Sequence, residues 1–174
     1  MGLSKKDLTI KYTVYSLIVV AAALLQNVSG LWFEIGSARC FFIIPAVLLL
    51  SLGEDERTAA FLGLFAGMLW DSVSVAHMGF NCILLMLLCY VAAALVNFVF
   101  RNTFRVAVAS TTIGTLIYCL LYWAVIVMPH GGAGAAFSLI RFYLPCFLYT
   151  SAVGFVLAVA FTPLKKKLNK GIVE

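Results

Sequence analysis

Apolar positions along this chain gather into six runs, Tyr12–Val28, Cys40–Leu52, Thr58–Trp70, Gly79–Phe100, Val106–Met128 and Ala136–Phe161, separated by short polar connections. A helix needs about 20 apolar residues to cross a hydrocarbon core about 30 Å thick, and four of the runs come near or exceed that length. The second and third hold 13 residues each. As helices they rise only about 20 Å, so length alone also fits re-entrant segments. The pattern predicts an all-α polytopic membrane protein, a six-transmembrane-helix bundle forming one domain over residues 1–174.

The basic residues decide between six spans and fewer. With six spans and the N-terminus inside, the cytoplasmic side holds Lys5, Lys6, Lys11, Arg57, Arg101, Arg105, Lys165, Lys166, Lys167 and Lys170, and the outer side only Arg39 and Arg141. If the second run is not a span, four basic residues lie inside and eight outside. The positive-inside rule selects six spans with both termini cytoplasmic. Gly53–Arg57 and Arg101–Arg105 are then tight cytoplasmic hairpins, which makes spans two and three, and four and five, antiparallel neighbours. Gly53 suits a helix end, and Glu54, Asp55 and Glu56 suit the start of the next helix, where carboxylates oppose the dipole. The three acids are read as a solvated turn. Trp32, Phe33 and Trp70 fall where interfacial aromatics are expected.

Composition agrees with this frame. The chain has 174 residues, 64% hydrophobic and 11% charged, too little polar surface to cover a soluble domain. The basic start before the first run resembles a signal peptide. That run continues for a full span without a small-residue cleavage site, so it is read as a retained helix. Lys6 stands where a myristoylation signal has Ser or Thr. The cluster Lys165, Lys166, Lys167 and Lys170 is expected to anchor the chain on the anionic inner leaflet. The bilayer and other membrane proteins are the expected partners, with no nucleic acid.

Little in the chain suggests catalysis. Cys40, Cys82, Cys89, Cys119 and Cys146 are scattered singly through apolar stretches, an odd number without CxxC spacing, and read as buried small hydrophobes. His77 and His130 fall on outer loops without metalloprotease spacing, and no nucleophile elbow or phosphate-binding loop is present. No enzyme activity, cofactor or metal is expected. A carrier would need polar groups near the midplane, at helices broken by Pro45 or Pro145. The amides Gln26, Asn27, Asn81 and Asn97 lie toward segment ends instead, where solvent explains them.

The densest information lies in Thr58–Gly79. Ala59, Gly63 and Gly67 recur every four residues, and Asp71 continues the series. On a helix this is one stripe of small residues ending in a carboxylate. Such stripes let helix backbones approach closely in lipid. Two readings stand: the stripe receives a partner's span, or it packs within the chain. An acid beside the membrane marks function by default, or it caps a helix. At the outer end of span three, Asp71 faces the negative end of its own helix dipole and must find donors. Ser72 and Ser74 hydroxyls, amides of the next turn, or a cationic partner would serve.

The run Gly63–Tyr90, GLFAGMLWDSVSVAHMGFNCILLMLLCY, resembles the core of the MreD rod shape-determining family. Gly63, Gly67, Asp71, Gly79 and Tyr90 stand in the places of that family's pattern. Leu24-Leu25-Gln26, Pro45 and the run 141–150, RFYLPCFLYT, also look like the family. The sequence departs at Ala46, where the family often has Asp, and at His77, where Pro is frequent shortly before the loop Gly. The resemblance implies a non-enzymatic inner-membrane subunit of the bacterial elongation machinery. It implies a scaffold for cell shape and sidewall peptidoglycan synthesis, working with an MreC-like single-span protein, the MreB filament, a RodA-type glycosyltransferase and a class B penicillin-binding protein. Ala59, Gly63, Gly67, Asp71 and Gly79 are the assembly candidates. The family also looks distantly related to the six-helix substrate-binding subunits of energy-coupling-factor vitamin importers. A vitamin-binding transport subunit is therefore the alternative.

Overall fold

The computed structural model describes residues 5–27, 40–73, 79–100, 103–131 and 135–170. Its principal helices are α1 (Lys5–Asn27), α2 (Ile43–Ser51), α3 (Glu56–Asp71), α4 (Phe80–Phe98), α5 (Phe104–Tyr122) and α6 (Leu144–Lys170). A π-helical stretch, Trp123–Val127, and the turn Met128–Gly131 extend α5; Ala135–Ser138 and a second π-helical stretch, Leu139–Tyr143, lead into α6. Among the described residues there is no strand.

Four segments are long and apolar enough to cross a membrane: Lys6–Asn27, Phe80–Phe98, Phe104–Val127 and Leu139–Lys165. The second and third apolar runs do form helices, but short ones of 9 and 16 residues. They rise about 14 and 24 Å, less than the bilayer core. Residues 40–42 are not helical, which shortens α2 at its start.

α2 is the axis of the bundle. It contacts each of the other five helices, and every one of its residues is buried. A helix that is apolar up to its last residue, IIPAVLLLS, has no face for water and goes to the centre. Gly114 of α5 and Gly154 of α6 let those helices approach it. A Cβ on Gly114 would meet Leu48 Cδ1 at 2.5 Å, and one on Gly154 would meet Pro45 Cβ at 3.3 Å.

So short a buried helix must have its end groups satisfied by the protein. Ile43 N–H donates to Gln26 Oε1 at 3.1 Å, and Phe41 N–H donates to Thr150 Oγ1 at 3.1 Å. At the other end, Lys165 Nζ donates to the carbonyls of Leu49, at 2.6 Å, and Leu52, at 2.5 Å. The helix breaks that a carrier would need do not occur at the two prolines. Pro45 sits in the first turn of α2, where the missing N–H is not needed. Pro145 is the second residue of α6, in its first turn just past the π-helical stretch.

Candidate functional site

The most extensive helix pairing joins α3 to α4, and the small-residue stripe lies in that seam. Ala59, Gly63 and Gly67 are buried. A Cβ on Gly67 would meet the Asn81 carbonyl oxygen at 2.6 Å, and one on Gly63 would meet Met86 Cα at 2.9 Å. These neighbours are backbone and cannot give way. The stripe is covered by α4 of the same chain, which of the two readings is packing within the chain. Close approach without side chains gains dispersion contact, the main attraction available between helices in lipid.

Asp71 closes the end of this hairpin where α3 leads into α4. It is 6% exposed and accepts three hydrogen bonds from the start of α4. Gly79 N–H donates to Oδ2 at 3.0 Å, Cys82 N–H to Oδ2 at 3.1 Å, and Asn81 Nδ2 to Oδ1 at 2.8 Å. The donors belong to a helix N-terminus, whose positive dipole end compensates the charge. Ser72 is not among them; its hydroxyl donates to the Leu69 carbonyl at 2.9 Å. Ser74 lies outside the described residues. Gly79 adopts φ +94° at the cap of α4, a backbone that disfavours any side chain.

The network continues into α5. Tyr118 OH donates to Asn81 Oδ1 at 2.7 Å, and its ring stacks on Trp70 with centroids 5.0 Å apart. Phe41 packs against both rings. Trp70, expected at the membrane interface, is instead buried beside α5. Asn81, expected in solvent, is buried too. Trp32, Phe33, Arg39, His77 and Arg101 lie outside the described residues, as does the side chain of His130.

A second polar hub closes the opposite end. Glu54 is buried, contrary to the solvated turn expected, and pairs with Lys11 of α1. Lys11 Nζ lies 2.7 Å from Oε1 and 2.9 Å from Oε2, and Tyr15 OH donates to Oε1 at 3.1 Å. Asn97 of α4 uses both amide hydrogens, donating to the Glu54 carbonyl at 2.9 Å and to Glu56 Oε1 at 2.8 Å. The bond from Asn97 holds the exposed Glu56 carboxyl below its ordinary pKa. Lys165, expected on the lipid surface, turns inward onto the α2 carbonyls. The side chains of Lys166, Lys167 and Lys170 lie outside the described residues.

Sequence reasoning missed Lys11, Tyr15, Tyr118 and Thr150. A signal was available for the first pair: Lys11 and Tyr15 are four apart, so they share one face of α1. Among the described residues no three His, Cys, Asp or Glu side chains converge to hold a metal. Cys40, Cys89, Cys119 and Cys146 are buried and Cys82 is half-buried.

A family model described as rod shape-determining protein MreD matches residues 8–171. The chain belongs to the MreD family. No curated protein and no solved structure matches it. Membership together with four spanning-length apolar helices makes it a multi-pass protein of the inner membrane. The residues that carried the MreD resemblance now have positions. Gly63–Tyr90 is the α3–α4 hairpin. Gln26 and Thr150, from two separate pieces of the pattern, hold the chain at the entrance to α2. Tyr90 faces outward. Ala46 is buried in α2, so this chain presents no acid at that position.

Proposed function

We propose that this MreD family protein is a non-catalytic scaffold of the rod complex, holding an MreC-like single-span protein beside the enzymes of sidewall peptidoglycan synthesis. The observation that carries the reading is the use of its buried polar groups. Asp71, Asn81 and Tyr118 are engaged with one another, and Lys11, Tyr15 and Glu54 likewise. Each hub ties helices together, which suits a rigid platform and leaves these groups committed to structure. The stripe Ala59, Gly63 and Gly67, with Asp71 and Gly79, then serves assembly indirectly, by building the hairpin that a partner meets. Both termini lie in the cytoplasm in this reading, as the distribution of basic residues supports.

Affinity purification of the tagged chain from native membranes, with identification of what accompanies it, tests the proposal. An MreC-like protein and a wall glycosyltransferase are the expected companions. Recovery of an energising ATPase pair, or thermal stabilisation of the purified chain by a vitamin, would replace the scaffold with a transport subunit.

A further inference from the structure

Around α2 the other helices fall into two sets. α3 and α4 interlock closely with α1 beside α3, and the next most extensive pairing joins α5 to α6. Between the sets direct packing is sparse. α4 touches α5 little, and among the described residues no other helix pairing across the divide is more extensive. α2 itself meets the α5–α6 hairpin at Gly114 and Gly154, where Leu48 and Pro45 rest on bare backbone. Such a contact holds without the interdigitated ridges that fix most helix pairs.

Across the divide the two ends are built differently. At the Asp71 end, Tyr118 OH donates to Asn81 Oδ1 at 2.7 Å and its ring stacks on Trp70. Tyr122 meets Phe80 edge-on, with centroids 5.8 Å apart, and Phe41 N–H donates to Thr150. Toward the α4–α5 connection the seam is open instead, and a cavity of about 210 Å³ runs from Leu88 and Ile117 to Phe100 and Val106. Lys165 holds the hairpin at this end, through the Leu49 and Leu52 carbonyls of α2. Just ahead of it stand two helix-bending features: Pro163 inside α6, and the Thr162 hydroxyl donating to the Ala158 carbonyl at 2.7 Å. A unit packed at one end, open at the other and pinned there by one side chain has the build of a hinged arm. We propose that the α5–α6 hairpin is such an arm. It pivots against α1–α4 at the Tyr118–Asn81 end, and Lys165 is the latch that holds its free end on α2. α1–α4 remain the rigid platform, and the Lys165 contact sets the equilibrium between two positions of the arm.

Distances between pairs of spin labels, measured by pulsed electron resonance on the full chain in lipid nanodiscs, test the latch. The labels go on exposed positions in a Cys82→Ala background, the other four cysteines being buried. Phe61→Cys with Val159→Cys reads the latched end, and Met68→Cys with Leu148→Cys reads the pivot end. Leu120→Cys with Val156→Cys reads the arm itself. With Lys165 in place each pair should give one dominant distance. Lys165→Met should add a second population at the latched end, displaced by about 5 Å, and leave the other two pairs unchanged. Lys165→Gln, a milder change that keeps a donor, should show the same second distance in fewer molecules, and Lys165→Arg should restore the single one. An unmoved distance at the latched end in both Lys165→Met and Lys165→Gln would overturn the proposal. So would equal broadening of the pivot and arm pairs, which marks general loosening of the bundle and not a swing.

Discussion

A carboxylate buried in a membrane protein is tolerable only if its surroundings replace water, and Asp71 shows how few groups suffice. Three donors and one helix dipole, all from the start of α4, meet it. Asp71→Ala removes the acceptor for all of them. Each orphaned buried donor costs about 1–3 kcal/mol, so a loss on the order of 3–5 kcal/mol is expected in detergent unfolding. Asp71→Asn keeps the shape and one acceptor oxygen and should cost about 1–2 kcal/mol. Equal losses for the two variants would mean that the charge, not the hydrogen bonds, matters. Glu54 and Lys11 make the complementary case. Removing one partner of a buried pair is expected to cost about 3–5 kcal/mol, whereas removing both charges is often close to neutral. Lys11→Met should therefore be less stable than the double variant Lys11→Met/Glu54→Gln, as thermal unfolding will show. A double variant less stable than the single would mean that the bond from Tyr15 to Glu54 needs the charged carboxylate.

For the α3–α4 hairpin the governing quantity is the distance between backbones. The stripe Ala59–Gly63–Gly67 was legible in the sequence because four-residue spacing is a local property of a helix. Which helix covers it was not legible, since a stripe accepts any smooth surface, whether in the same chain or another. Closure of the hairpin by Asp71 and Gly79 favours α4. Gly67→Ala would meet the backbone of Asn81 and Cys82, whereas Gly114→Ala would press on the far end of Leu48, which can turn aside. Overpacking of the first kind costs about 1–3 kcal/mol or more. Gly67→Ala should lower the unfolding temperature clearly more than Gly114→Ala, and Gly67→Leu should abolish the folded hairpin. Phe61→Leu, at a position 71% exposed on the opposite face of α3, should change stability little.

At the scale of the whole molecule, a nine-residue helix at the centre requires its neighbours to supply its caps. Lys165, more than 100 positions away in sequence, is bound to Leu49 and Leu52, which ties the end of α6 to the middle of the bundle. Lys165→Ala should lower stability by about 1–3 kcal/mol in a neutral detergent. A simple anchor to anionic lipid would leave stability there unchanged. The sequence by itself determined the six helices, because hydropathy reports directly on the contrast between lipid and water. It read spans four and five as close neighbours, whereas α4 pairs far more extensively with α3. The orientation rests on the proposal drawn from the basic residues. Only the tertiary structure decided which polar residues turn inward, that Glu54 and Lys165 are structural, and that α4 occupies the glycine stripe. The reason is physical. In a bilayer the faces toward lipid and toward the core are both apolar, so periodicity does not distinguish them. The groups that pair across the bundle lie tens of residues apart, at spacings no local pattern records.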